Sequence, residues 1–160
     1  MIRSDLPLST THEVRDRCLC LHVQRAARAL ARLFDDALRP FGLTNGQYSL
    51  MIALNRPGEP RIGDLAPFLA MDRTTLTAAL KPLERRGLIT VFADAEDKRS
   101  RRVALTETGR DLLVKAVPVW RDTHDAVDAV LETDPEDLRT GLRSLLDIPP
   151  ERILRQEEAV

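Results

Sequence analysis

The feature that most constrains this chain is the order of patterns between residues 62 and 105. Residues 62–69 and 73–86 carry apolar side chains at helical spacing, and Asp72 stands where the second segment needs an N-terminal cap. Gly87, directly after that segment, is typical of the residue that ends a helix. The pattern predicts two short helices joined by a tight turn, and the inner face of the second comprises Leu76, Ala79, Leu80 and Leu83.

A charged β-hairpin follows the two helices. Residues 88–93 and 100–105 are rich in β-branched residues and flank a polar tip at residues 94–99, which predicts two antiparallel strands. Two short helices followed by such a hairpin form a winged helix-turn-helix. In that arrangement the second helix fits the major groove of DNA, and the hairpin, or wing, reaches the neighbouring backbone or minor groove.

Helical segments precede this region. After a capping-box pattern at Thr10–Glu13, apolar residues in the segment 11–40 recur every three or four positions, which predicts one long amphipathic helix that Pro40 closes. A second capping box at Thr44–Gln47 predicts a further helix to about Asn55.

Two more helices are predicted after the hairpin. Thr106 stands at the start of a long helical pattern that runs to about Thr133, and Pro118 should bend that helix. Asp134 and Pro135 are in the favoured cap and first-turn positions of a last helix that runs to about residue 148.

Composition is typical of one ordinary globular domain. The 160 residues, 43% hydrophobic and 31% charged, suffice for one core and are too few for two sizeable ones. We expect a single mainly α (α+β) domain over residues 1–160, with the winged region at 44–105 between helices at 11–40 and 106–148. Its apolar runs are too short for a bilayer, it opens without a leader pattern, and two cysteines build no disulfide scaffold, so we expect the cytoplasm.

The formal net charge of −1 conceals an uneven distribution. Residues 61–110 hold 10 basic and 7 acidic side chains, or +3, whereas residues 120–160 hold 5 and 11, or −6. A positive centre with an acidic tail is expected when one face of a protein meets a polyanion. A solvated face without a partner is the alternative explanation.

The outward face of the second short helix lacks carboxylates. Cations and small polar groups on such a face approach bases and phosphates without repulsion. Pro82 predicts a kink inside this helix, which would confine base contacts to the turns before it. The candidate DNA-contacting residues of the helix are Arg73, Thr74, Thr75, Thr77 and Lys81.

Three stretches resemble the MarR (multiple-antibiotic-resistance regulator) family, in the order in which that family has them. They are Leu43–Tyr48 at the start of a helix, Leu83–Ile89 at the exit of the second short helix, and Asp97–Gly109 at the wing. The resemblance implies a homodimer in which the helices of residues 11–40 and 106–148 interlock. It also implies that two winged domains read a pseudo-palindromic operator in double-stranded DNA, with half-sites about one helical turn apart.

The resemblance also assigns roles at the wing. Arg99 is the residue that would enter the minor groove, and Lys98 and Arg101 would contact phosphates, which position the protein without specifying sequence. Asp97 would hold the wing arginines in place, Arg101 first among them. The alternative is that Asp97 and Arg101 form an ordinary surface ion pair.

Two cysteines are candidates for sensing oxidants or metalloids. Cys20 lies eight residues before Arg28, a placement similar to the sensing cysteine in the organic-hydroperoxide branch of the family. The tyrosines that polarise that thiol are replaced here by Gln24 and Phe34, and a buried, inert Cys20 is the alternative. Cys18 and Cys20 could instead share a soft metal or metalloid. Positions i and i+2 point about 200° apart on one helix, so such a site needs local unwinding or ligands from a second subunit.

A small-molecule pocket beside the winged domain is the more usual sensing route that the resemblance implies. The candidate lining residues are His22, Phe34, Tyr48, Met51 and Trp120. Each of them could equally be plain core, because aromatic residues and methionines at helical spacing usually pack. The three histidines show no metal-ligand spacing with one another, so we expect no metal site.

Catalytic motifs are absent from the sequence: it has no Gly-rich phosphate loop, zinc-type cluster or nucleophile elbow. We therefore expect neither an enzyme nor a bound cofactor. The favoured hypothesis is a homodimeric, sequence-specific DNA-binding regulator of the repressor type, released by a small-molecule effector and independent of membranes. The alternatives are a thiol-based redox or metalloid-responsive regulator that uses Cys18 or Cys20, and a winged-helix module that binds protein.

Overall fold

Seven α-helices, one 3₁₀ turn and one two-stranded sheet make up residues 5–149, the part of the chain that this computed structural model describes. The strands β1 (Ile89–Ala93) and β2 (Arg101–Leu105) pair antiparallel, with Ile89 opposite Leu105 and Ala93 opposite Arg101. The helices are α1 (Leu8–Arg17), α2 (Leu19–Leu38), α3 (Asn45–Ala53), α4 (Ile62–Phe68), α5 (Arg73–Arg85), α6 (Glu107–Val130) and α7 (Pro135–Leu146), and the 3₁₀ turn covers Arg39–Phe41.

The predicted mainly α (α+β) fold is confirmed. The order α4–α5–β1–β2 is that of a winged helix-turn-helix, and β1 and β2 form the wing. Contacts divide the described residues into two compact units on either side of the Trp120–Arg121 boundary. The first contains α1 to α5, the wing and the first part of α6, and the second contains α7.

The N-terminal prediction of one long helix is wrong. Residue Cys18 is extended, with φ −75° and ψ 101°, and separates α1 from α2. Its Sγ accepts a hydrogen bond from the Leu21 amide at 3.4 Å and so caps α2. The predicted capping box at Thr10–Glu13 also fails, because α1 already begins after Pro7, whose fixed φ suits a helix start. No glycine or proline marks the break at Cys18, so spacing alone could not reveal it.

The other predicted helix starts are confirmed. Thr44 and Gln47 form the reciprocal capping box at the start of α3, with both hydrogen bonds at 3.2 Å. The Thr106 hydroxyl accepts from the Gly109 amide at 3.0 Å, and the Asp134 carboxylate accepts from two amides at the start of α7. These caps succeed as predictions because both partners lie within three residues of each other.

Three prolines lie inside helices; Pro67 lies one residue before the end of α4, and the helices that contain the other two continue past them. Helix α5 runs through Pro82 to Arg85, and α6 runs through Pro118 to Val130. A helix that continues past proline still lacks one backbone hydrogen bond. The kink at Pro82 and the bend at Pro118 therefore stay predictions.

The core of the first unit lies between α3, α4, α5 and the inner face of the wing. The predicted inner positions of α5 are confirmed, since three leucines are buried and Ala79 packs against them half-buried. Gly109, in the first turn of α6, lies against the chain just before β1. The side chains with less than 2% exposure in this core are Leu38, Met51, Leu65, Leu76, Leu80, Leu83, Val103 and Ala116.

We predict that Gly109→Ala destabilises the first unit. A Cβ atom there would lie 2.1 Å from the Leu88 carbonyl oxygen, and backbone cannot move aside as a side-chain tip does. Overpacking of this kind costs about 1–3 kcal/mol, which chemical unfolding in urea will measure. The matched control is Gly63→Ala in α4, where a Cβ meets no atom within 4 Å and helix propensity improves. Equal stability of the two variants would contradict the close contact.

Candidate nucleic-acid interface

The N-terminus of α5 is fixed by Asp72. Its carboxylate accepts hydrogen bonds from the Thr75 amide at 2.8 Å and from the Thr75 hydroxyl at 2.5 Å. These bonds, the one from the hydroxyl foremost, hold the pKa of Asp72 below its usual range. The Thr75 hydroxyl, proposed from sequence as a DNA contact, is therefore engaged in the cap.

The outward face of α5 is exposed as predicted. Arg73, Thr74 and Lys81 are exposed, and the Thr77 hydroxyl donates to the Arg73 carbonyl at 2.7 Å, which leaves its oxygen able to accept. Ala78 lies among them, and the nearest carboxylate on the helix, Glu84, lies beyond Lys81. This face therefore offers cations, hydroxyl groups and a methyl group, without a negative charge between Arg73 and Lys81.

The C-terminus of α5 is fixed by an arginine that the sequence did not single out. Arg86 donates from its guanidinium to the Gly42 carbonyl at 2.6 Å and to the Phe41 carbonyl at 3.4 Å. Gly42 has a φ of 63°, and a Cβ there would lie 3.2 Å from an Arg86 nitrogen. The backbone conformation at position 42 therefore favours glycine, and Arg86 ties the exit of α5 to the segment that leads into α3.

The tip of the wing is ordered by Asp97, but not in the predicted way. Its carboxylate accepts from the Arg99 amide at 3.0 Å and from the Ser100 hydroxyl at 2.7 Å. These bonds, chiefly that of Ser100, lower the pKa of Asp97. Among the described residues no ion pair joins Asp97 to Arg101, so the expectation that Asp97 holds Arg101 is wrong. The carboxylate instead closes the turn two and three residues ahead of it, as aspartates in tight turns do.

The arginines at the base of the wing are held by Asp94 instead. Sequence placed Asp94 in the polar tip, but only 1% of its surface is exposed. Its Oδ2 accepts from Arg61 Nε at 2.8 Å and from Arg102 Nε at 2.6 Å. Its Oδ1 accepts from the amides of Glu96 and Asp97 at 2.8 and 3.1 Å. These bonds, that of Arg61 foremost, hold the pKa of Asp94 well below its usual range.

The same cluster joins the wing to the chain that precedes α4. Arg102 also donates to the Glu59 carbonyl at 2.6 Å, and the Val103 amide donates to the Pro60 carbonyl at 3.1 Å. Arg61 forms an isolated β-bridge with Arg102. The sequence does not predict this link, because Arg61 and Asp94 lie 33 residues apart and no local pattern pairs them.

The cations near the tip of the wing point into solvent. Lys98, Arg99 and Arg101 are exposed, and within residues 5–149 none of them forms an ion pair. An acidic residue nearby, Glu96, lies 3.6 Å from Arg61. The wing therefore presents three uncompensated positive charges beside a helix face that carries Arg73 and Lys81.

The candidate sensing residues fall into separate places. Cys18 is half-buried at the helix break and Cys20 is exposed, so a buried Cys20 is not found within one chain. His22 is exposed on α2, and its Nε2 lies 3.4 Å from the Asp16 carbonyl. Phe34 and Met51 are buried core side chains. In the described part of the chain no group of three or more histidine, cysteine or acidic side chains is placed to hold a metal ion.

Tyr48 and Trp120 come together as the sequence proposed. Their rings stack with centroids 5.9 Å apart and an angle of 22° between the planes. Both line a cleft of about 460 Å³. The other residues around it are Ser49, Ile52, Ala53, Asn55, Arg56, Phe68 and Leu69. The cleft is mainly apolar with one cation, Arg56, which suits a small aromatic or acidic ligand.

Comparisons with known proteins agree with this geometry. The sequence profile of the MarR family matches residues 43–100. The M. tuberculosis transcriptional regulator MosR, in its crystal structure with DNA, is 39% identical, and the match covers 82% of this chain and 95% of that one with a TM-score of 0.76. CouR, described as a transcriptional repressor in its structure with a 23-mer DNA duplex, is 27% identical over 84% of this chain and 93% of that one, with a TM-score of 0.69.

A curated relative extends the comparison. The transcriptional activatory protein BadR of Rhodopseudomonas palustris is 35% identical over 95 residues, which are 58% of this chain. That match spans 54% of BadR's own length, so about half of that protein has a counterpart here. All three of these proteins are named as transcriptional regulators, and the expectation that the chain is not an enzyme is confirmed by this kinship. No helix among residues 5–149 is long and apolar enough to cross a membrane.

Proposed function

The chain belongs to the MarR family, and on that premise we propose that it is a homodimeric, sequence-specific DNA-binding regulator of the repressor type that acts in the cytoplasm. The observation that carries the proposal is the exposed face of α5, free of carboxylates up to Lys81, beside a wing with three unpaired cations. α5 would enter the major groove, and Arg99 would enter the minor groove.

The charge distribution supports the same partner. Phosphate contacts from Lys98 and Arg101 would hold the protein on any duplex, whereas Thr74 and Thr77 on α5 are placed to distinguish bases. The excess acidic charge belongs to residues 120–160, outside the winged region, and would limit nonspecific adhesion. MosR and CouR, both solved with DNA, have the same fold, which supports the assignment for this chain.

We predict that Arg99→Ala weakens binding to the DNA that flanks the protein's own gene. Loss of one groove-inserted arginine should cost about 1–3 kcal/mol, or roughly 5- to 150-fold in Kd, which a gel-shift titration at low salt will measure. The matched control is Arg17→Ala on α1, which removes the same charge far along the chain from α5 and the wing. Unchanged affinity for Arg99→Ala, or no complex with the wild type, would count against the proposed function.

A homodimer is supported by the apolar faces that one chain leaves uncovered. On α2, Leu19, Leu30 and Leu33 are between 44% and 64% exposed, and in the second unit Leu142 and Leu146 are 43% and 74% exposed. Large apolar side chains left exposed on a helix are typical of a protein–protein interface. We propose that these faces pack against a second copy of the chain, which would place two winged domains on one pseudo-palindromic operator.

We predict that Leu30→Glu combined with Leu33→Glu weakens the dimer. Both positions are exposed in one chain, so the monomer should still fold, whereas charges buried between two copies should displace the equilibrium towards monomer. Sedimentation velocity at micromolar concentration measures the change. Ala78→Glu, on the outward face of α5, is the control that should keep the dimer. A monomeric wild type, or a variant that dimerises equally well, would refute the assignment.

The cleft beside the stacked Tyr48 and Trp120 is our candidate effector site. Residues of α3, Phe68 at the end of α4 and Trp120 of α6 line the cleft. A ligand there would therefore contact three different helices. An effector that prefers one arrangement of these helices would change DNA affinity by its differential binding to the two states.

The effector prediction uses Trp120 as a probe, because it is the only tryptophan in the chain. A compound that binds in the cleft and releases DNA should change Trp120 fluorescence over the same concentration range in which the gel-shift complex is lost. Aromatic carboxylic acids and their neutral amides are suitable ligands to compare, and Arg56→Ala should weaken only the acids. Release without a fluorescence change would place the effector site elsewhere.

A thiol-based signal is the second candidate, and the helix break at Cys18 favours it. The break removes the constraint that a continuous helix would impose on the directions of Cys18 and Cys20. Oxidation of Cys18, or its binding to a metalloid, would also disturb the cap that its sulfur provides to α2. Under this alternative, peroxide or a metalloid releases DNA from the wild type but not from Cys18→Ser or Cys20→Ser.

A further inference from the structure

We propose that Asp94 is a positioning residue that sets the offset between the wing's Arg99 and the DNA-facing surface of α5. This inference rests on the proposed function, since it names a residue that would orient the DNA contacts without touching DNA. Asp94 is buried, although in the sequence it belongs to the polar tip at residues 94–99.

Asp94 contacts both the helix-turn-helix and the wing, as a residue that sets their relative position must do. Arg61 immediately precedes α4, Arg102 belongs to β2, and Asp94 follows β1 directly. Both guanidiniums donate from Nε to the same carboxylate oxygen, at 2.8 and 2.6 Å. The helix-turn-helix and the wing are therefore joined at one buried atom, in addition to their apolar packing.

A continuous series of hydrogen bonds leads from this atom towards the tip. The other oxygen of Asp94 accepts from the Asp97 amide at 3.1 Å. The Asp97 side chain in turn accepts from the Arg99 amide at 3.0 Å. Two hydrogen bonds, both made by Asp97, thus connect the Arg99 backbone to the Asp94 carboxylate. Arg61 fixes that carboxylate to the start of α4.

The carboxylate charge is essential to this arrangement. Without it, two guanidiniums would face each other at the base of the wing, and only the exposed Glu96 carboxylate, 3.6 Å from Arg61, would remain beside them. Hydrogen bonds are directional, whereas apolar packing tolerates small rotations, so the ion cluster is the contact that defines the wing's angle. The pairing explains why an acidic residue stands inside the most basic segment of the chain.

The test is a pair of double-mutant cycles on DNA affinity, built on Arg61→Gln. Arg61 is partly exposed, so this variant should fold, and Asp94→Asn serves as the second, more severe variant. If Asp94 positions Arg99, then Arg99→Ala should weaken binding roughly tenfold or more in the wild-type background but less than about threefold with Arg61→Gln. Lys81→Ala, on α5, should cause the same fold-loss in both backgrounds.

Hydrogen exchange supplies a readout that does not need DNA. In Arg61→Gln, the amides of residues 96–100 should exchange faster while those of α5 keep their protection. The proposal would be overturned if Arg99→Ala weakened DNA binding equally in both backgrounds. It would also be overturned if Arg61→Gln reduced the effect of Lys81→Ala as much as that of Arg99→Ala, or if exchange at the tip did not change. If the wild type does not bind DNA, the proposed function fails, and the exchange experiment still decides whether Arg61 and Asp94 order the tip.

Discussion

The buried carboxylate of Asp94 is the interaction on which the arrangement of this winged region depends. The leucine core of α4, α5 and β2 drives folding, but apolar burial specifies direction only loosely. Asp94 adds four directional acceptor contacts that join the chain before α4, the turn of the wing and β2. Arg86 performs a similar task at the C-terminus of α5 through the carbonyls of Phe41 and Gly42. Two arginine-based clusters therefore tie the helix-turn-helix to the segments around it.

Acidic and basic side chains have different surroundings in the winged region. Within the basic segment, the acidic side chains of Asp72, Asp94 and Asp97 are all engaged in caps, turns or ion pairs. The cations at the tip and on α5 are left uncompensated among the described residues. A chain with a net charge of only −1 can thus present a positive field at one surface, because three of its local acids are engaged within the fold and its excess acid lies in the tail.

The sequence predicted those parts of the structure that local interactions decide. The caps at Thr44, Asp72 and Thr106 each join residues three apart. The strands are recognisable from their composition on either side of a charged tip. The inner face of α5 followed from helical periodicity alone. Each of these features could be read because the interacting residues are neighbours along the chain.

Longer-range contacts explain what the sequence did not predict. Asp94 looked like one more polar residue of the tip, and only the approach of Arg61 from 33 residues away makes it a buried partner. Asp97 was assigned to Arg101, but its carboxylate is used within the turn. The break at Cys18 carries no helix-breaking residue, so periodicity extended one helix across it. In the candidate site, the exposed cations could be identified from the sequence. The contacts of Asp94 and Asp97, which would orient these cations, could be identified only from the structure.

The most direct measurement of the central claim is a hydroxyl-radical footprint of the full chain on the DNA that flanks its own gene. Two winged domains on one operator should protect two regions related by two-fold symmetry, with their centres about one helical turn apart. Each region should have added minor-groove protection on its outer side, where Arg99 inserts. A single asymmetric patch, or uniform protection at low salt that no sequence favours, would contradict the account of two winged domains that read one operator.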